Sequence, residues 1–182
     1  MIQRIKPGGK KRAKEMKLEW NLDFPVDESL LSLMKSAADQ APLAEGIPYS
    51  CFAAVRICDD ESIRALNRDY RGLDQSTDVL SFPSVRWPEG RTAGDVPERL
   101  KREYDEMMNA CFLGDVVISM DHVRAQAAAY GHSEAREAAY LLVHSLCHLM
   151  GYDHMEDGEK AVMRAKEEEI LSAVGLTRTG LN

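Results

Sequence analysis

Leu18, Trp20 and Leu22 occupy alternate positions of segment 17–22, the period of a β-strand. Pro25 interrupts it. Asp27 or Ser29 then caps a helix carrying Leu30, Leu31, Leu33 and Met34, expected to end before Pro42. Segment 50–58 reads as a second strand, and Asp59 with Asp60 caps a helix that runs through Ile63 and Leu66 to Tyr70. Gly72 and Asp74 are turn residues, 77–82 predicts a short strand, and Pro83 at its end marks a sheet edge. Residues 84–110 are polar. Pro88, Gly90 and Gly94 predict a loop, and Pro97 opens an amphipathic helix with Leu100, Tyr104 and Met107 or Met108 along one side. The apolar run 112–120 predicts a buried strand. Asp121 caps an alanine-rich helix ending at Gly131, and Ser133 caps the next, which carries Tyr140, Leu141 and Leu142 toward His144. The last helix, 156–174, is charged on one face and presents Ala161, Val162, Met163, Ile170 and Leu171 on the other before Gly175 ends it. Strands and helices in this order predict an α+β fold, a sheet of about four strands backed by helices.

Composition narrows the class. A chain of 182 residues, 45% hydrophobic, suits one domain with a real core. It contains no apolar run of membrane-spanning length, and its first residues carry charge without an apolar signal core. Cys51, Cys58, Cys111 and Cys147 are scattered among apolar residues with no CxxC pair, as expected of reduced core thiols in a cytoplasmic protein. The net charge of −7 argues against a general nucleic-acid binder, but it is uneven: residues 1–17 carry seven Lys or Arg and one Glu, leaving −13 on the other 165. A basic flexible arm, 1–16, ahead of one domain, 17–182, is the expected organisation; that arm suits either a contact with an RNA backbone or no role at all.

The chemistry concentrates between His144 and His154, which hold three of the five histidines. His144 and His148 lie one helical turn apart on one face. Gly151 permits the left-handed turn that ends the helix, and His154 returns three residues later. Three imidazoles converging on one point are three of the four ligands of a tetrahedral zinc, with the last position open, and such an ion lowers the pKa of water and polarises carbonyl or phosphoryl oxygens. Cys147, between the two helical histidines, points partly away. Asp153 is expected to orient an imidazole rather than to close the site. The spacing His-x-x-x-His-x-x-Gly-x-x-His is that of metzincin peptidases, whose general-base glutamate follows the first histidine. Here that residue is Ser145, a poor base, so a peptidase would need a remote acid such as Asp153 or Glu156.

From about Ala53 onward the chain resembles the YbeY family of bacterial metal-dependent endoribonucleases. The resemblance rests on Leu66–Gly72 running into Thr77–Pro83, on Leu113–Ser119, and on His144–His154. It implies one zinc ion held by His144, His148 and His154, with His144 and Arg71 needed for activity and Arg71 in the cleft. It implies single-strand cleavage in maturation of the 16S ribosomal RNA 3′ end, and a role in late ribosome quality control. The implied partners are precursor ribosomal RNA and the small ribosomal subunit, with its proteins and an assembly GTPase as further ones; neither DNA nor membrane is expected. Ser145 stands where the family usually has glycine and Cys147 where it usually has leucine, and neither change removes a ligand. Segment 84–110 looks longer than is typical of the family and reads as an insertion near the cleft. The guanidinium of Arg71 suits a phosphate, with Arg68 and Arg86 as further cations. A zinc metallopeptidase and a non-enzymatic ribosome-assembly factor with a structural zinc are the competing readings.

Overall fold

The computed structural model describes residues 15–153 and 156–177. Its elements are β1 (Met16–Leu22), α1 (Glu28–Ala44), β2 (Cys51–Cys58), α2 (Asp60–Arg71), β3 (Val79–Pro83), a 3-10 helix (Pro97–Glu103), β4 (Tyr104–Asp105), β5 (Ala110–Ser119), α3 (Met120–Tyr130), α4 (Glu134–Leu149) and α5 (Asp157–Ser172). The fold is α+β. The sheet runs β1-β2-β5-β3, parallel from β1 through β5, with β3 antiparallel on the outer edge of β5 and β4 paired to the start of β5. Two-residue β4 is the fifth strand, beyond the four expected. Of the basic arm expected at 1–16, residues 1–14 lie outside the described residues, whereas Met16 is fully buried in β1.

Strand alternation divides the side chains between two faces. Val55 and Ile57 of β2 and Val116 and Ile118 of β5 join α1, α4 and α5 in the main core. On the other face Leu80, Val117 and Cys58 form a smaller cluster with Ile63 of α2. Pro83 does end an edge strand. Gly114, at φ +139, lets β5 bulge against β2; a Cβ there would lie 2.2 Å from the carbonyl oxygen of Phe82, so β3 pairs closely only because this residue is glycine. Among the described residues no helix is long and apolar enough to cross a membrane.

Four local expectations change. α1 runs past Pro42, which is buried in its last turn, because forgoing one N–H bond costs less than exposing Ala41 and Pro42. The helix expected from Pro97 is one short 3-10 segment that buries Leu100. The chain then turns at Asn109 (φ 49) into the β4–β5 hairpin, so Tyr104 and Met107 face solvent. α3 is capped by Ser119, whose Oγ accepts from the His122 N–H, with Asp121 in the first turn. In α5 the inward stripe is Met163, Glu167, Ile170 and Leu171, while Ala161 and Val162 are exposed.

Candidate metal centre

α4 is buried around most of its circumference. Leu141, Leu142, Val143, Leu146, Cys147 and Leu149 are in the core, and His144 and His148 occupy the stripe left open to solvent. Ser133 caps its start by accepting from the Arg136 N–H. The helix closes through Met150, and Gly151 (φ +97) turns the chain so that the Tyr152 N–H donates to the Cys147 carbonyl at 3.0 Å. A Cβ on Gly151 would lie 2.8 Å from Cδ1 of Trp87 and 2.9 Å from the carbonyl oxygen of Arg91. Glycine is therefore required by both the turn and the packing.

The two imidazoles meet edge to face, 88° apart, with Nε2 of His148 3.2 Å from Nε2 of His144. Their other nitrogens are engaged by acceptors. Nδ1 of His148 lies 3.0 Å from the carbonyl oxygen of Tyr152, and Nδ1 of His144 lies 2.7 Å from Oε1 of Glu167. A carbonyl or carboxylate can only accept, so in the neutral rings Nδ1 carries the proton and Nε2 presents its lone pair. Two lone pairs directed into one small region repel unless a proton or a cation lies there. Tetrahedral zinc with bonds of about 2.0–2.1 Å separates two nitrogen ligands by about 3.3–3.4 Å. The observed pair fits that donor set. His154, the third member of the expected triad, lies outside the described residues, and among the described ones no group of three metal-ligating side chains is found.

Glu167 escaped the sequence reading, although a signal was present. It sits between Met163 and Ile170 at helical spacing, a carboxylate on an apolar stripe. Only 4% exposed, it fixes the tautomer and plane of His144 across the α4–α5 interface. Asp153, expected to orient an imidazole, lines the cleft. Cys147 is fully buried in the core and does not line the cleft; burial, then the nearby Glu167 and Glu45 carboxylates, push its thiol well above the usual range. The hydroxyl of Ser145 is buried, has no hydrogen-bond partner among the described residues and does not line the cleft.

The histidine pair opens into a cleft of about 1040 Å³. Arg71 forms one wall with Thr77, Asp78, Val79, Ser81 and Pro83, the loop from Trp87 to Thr92 forms another, and Asp153, Glu156, Glu159 and Val162 complete it. Arg71 reaches this wall because it is the last residue of α2, which is capped by Gly72 (φ 71), whose N–H donates to the Arg68 carbonyl. Asn67 Nδ2 then holds the following loop through the Gln75 carbonyl. Arg64 grips Asp74 with two bonds, and Arg68 lies near Asp69 and Asp74. Arg71 makes no ion pair or hydrogen bond among the described residues. Arg68 and Arg86 do not line the cleft. Three of the carboxylates there have structural duties: Asp78 accepts from Gln126 and from the Val79 N–H, and Glu156 and Glu159 form the capping box of α5.

Residues 18–175 match the family described as Endoribonuclease YbeY, which spans the sheet, Arg71 and both described histidines. The chain belongs to the YbeY family. Proteins named Endoribonuclease YbeY from Clostridium acetobutylicum and Agathobacter rectalis are 44% and 38% identical to it, over 84% and 90% of this chain and 93% and 97% of theirs. One from Clostridium perfringens is 39% identical over 85% of this chain and 93% of its own. The solution structure of a Thermotoga maritima protein shares the fold, with a TM-score of 0.53 and 19% identity over 91% of this chain and all of that one. The YbeY match begins at residue 18, well before the Ala53 from which the sequence blocks carried the resemblance.

Proposed function

We propose that this chain is a metal-dependent endoribonuclease specific for single strands, with one zinc ion held by His144, His148 and His154. The observation that carries this reading is the cleft itself, where two imidazole Nε2 atoms 3.2 Å apart share a wall-bounded space with the guanidinium of Arg71. Zinc in such a site supplies Lewis acidity, making water a better nucleophile near neutral pH and polarising a phosphoryl oxygen. The chain's own groups do the rest. Arg71 offers paired N–H donors to the non-bridging oxygens of a phosphodiester, a contact that strengthens as negative charge grows on them in the transition state. Glu167 and the Tyr152 carbonyl hold the two rings in the orientation that exposes Nε2. Buried Ser145 supplies no base, and Glu156 is committed to a helix cap, which weighs against a peptidase.

In this reading the substrate is precursor ribosomal RNA, cleaved in forming the 16S 3′ end and in late ribosome quality control. The small subunit, its proteins and an assembly GTPase are partners, and the setting is the cytoplasm. The deciding experiment incubates purified zinc-loaded chain with a 16S precursor carrying an unpaired 3′ extension, alongside chain stripped by chelator. Cleavage is expected only with metal, and adding zinc back is expected to restore it. Ribosome-assembly activity with no turnover in any metal form would overturn the enzyme and favour an assembly factor.

Glu167 acts by positioning, so its substitution is expected to weaken the metal before it harms the fold. Glu167→Ala is predicted to lower zinc affinity by about 10- to 100-fold, measured by competition with a chromophoric chelator. Glu167→Gln keeps an acceptor for the His144 Nδ1–H and is expected to retain most of the affinity. Equal affinity in the alanine variant and the parent would remove Glu167 from this role.

A further inference from the structure

Trp87 has no part in holding the metal, yet its ring belongs to the cleft wall. Its Nε1–H donates to the Leu149 carbonyl at 2.8 Å, and its Cδ1 and Cγ lie so close to Gly151 that no Cβ would fit. The segment around it is anchored to the same turn. The Ala93 N–H donates to the Met150 carbonyl at 2.8 Å, and the Gly94 N–H reaches Oε1 of Glu45 at 3.1 Å. Oε2 of Glu45 accepts from the Tyr152 hydroxyl at 2.6 Å. The indole is thus held rigidly relative to His148, the residue that this turn positions. The ring is half-buried against the main core, and with its only polar atom spent on Leu149 the part that lines the cleft is apolar. The same cleft holds an arginine without an ion-pair partner among the described residues.

A flat apolar surface beside a cation for phosphate is complementary to a nucleotide whose base is unstacked. We propose that Trp87 is the stacking platform of a nucleobase subsite, receiving an unpaired base next to the phosphodiester held by Arg71. This rests on the endoribonuclease reading and deepens it, since the subsite is a physical source of single-strand preference. In a duplex both faces of each base are already covered, and presenting one to an indole requires unstacking it. The segment that looked like an insertion therefore contributes directly to substrate recognition.

The chain has two tryptophans, so Trp20→Phe leaves Trp87 as the sole reporter. Short single-stranded RNA is titrated into this full chain under chelator, which prevents turnover, and a single abasic site is then moved along the RNA. RNA is expected to quench Trp87 fluorescence. One abasic position is expected to lose the quenching and weaken binding about 10- to 100-fold. Trp87→Ala is expected to show the same weakening with intact RNA and no further loss with that abasic RNA, while Trp87→Phe retains part of the affinity. A merely structural tryptophan would lower the melting temperature and leave the abasic penalty intact, which overturns the proposal. If Trp87→Ala does not fold, RNA that binds the Trp20→Phe chain without quenching at any position overturns it equally. RNA bound and cleaved with no base dependence removes the subsite alone; absence of RNA binding and cleavage removes the endoribonuclease reading as well.

Discussion

Replacing His148 with alanine is expected to lower RNA cleavage by roughly 10³-fold or more and to remove stoichiometric zinc. Loss of a group that merely orients a ligand costs about 10- to 100-fold in metal affinity or activity, and loss of the ligand itself costs more. His148 is suited to this test because its duties are separable from the core. Its ring sits on the open stripe of α4, with Nδ1 on the Tyr152 carbonyl and Nε2 beside His144, while the buried residues of the helix are its neighbours. The variant is therefore expected to unfold cooperatively near the parent temperature without metal. Zinc at about 100 times its dissociation constant stabilises a folded binder by about 2.7 kcal/mol, so it should raise the melting temperature of the parent and leave the variant almost unmoved. Metal analysis, thermal melts with and without zinc, and a single-turnover cleavage assay together make the test. A variant that keeps one tightly held zinc and full cleavage would break the metal assignment.

Arg71→Ala is expected to behave differently: cleavage down by about 10²- to 10³-fold, zinc content unchanged and stability close to the parent. The guanidinium is exposed at the last residue of α2 and makes no ion pair among the described residues, so truncating it strands no buried charge. The loss should fall on the chemical step more than on binding, because a phosphate contact that tightens as charge develops acts mainly on the transition state. Arg71→Lys is expected to recover only part of the rate, since an ammonium is a point charge without the paired, planar donors. Normal single-turnover rates in Arg71→Ala would detach this residue from the chemistry, whatever its effect on affinity.

Local signals carried most of the fold. Ser133, Gly131 and Gly72 ended or began helices where their backbone and side-chain preferences place them, and Pro83 closed an edge strand. Expectations failed where a distant partner overrode local preference. Tyr104 and Asp105 joined β5 instead of a helix because pairing on the β5 edge satisfies their backbone, and nothing within 97–108 announces that edge. Pro42 stayed helical because the core covers it. Val162, apolar and in phase with Ile170 on a loose reading, instead lines the cleft.

By itself the sequence determined the pairing of His144 and His148. Spacings of four residues on a helix and the glycine after it are local geometry, and helical pitch alone brings the rings of His144 and His148 together. The tertiary structure decided what surrounds them. Arg71 comes 73 residues before His144 and Glu167 comes 23 after it, and neither separation implies proximity until sheet pairing and helix packing close the intervening loops. The same holds for Trp87, whose place in the cleft depends on a hydrogen bond to a carbonyl 62 residues away. Short-range geometry is set by bond angles and helical pitch. Long-range contact depends on which faces can be buried together, and that is settled only when the whole chain packs.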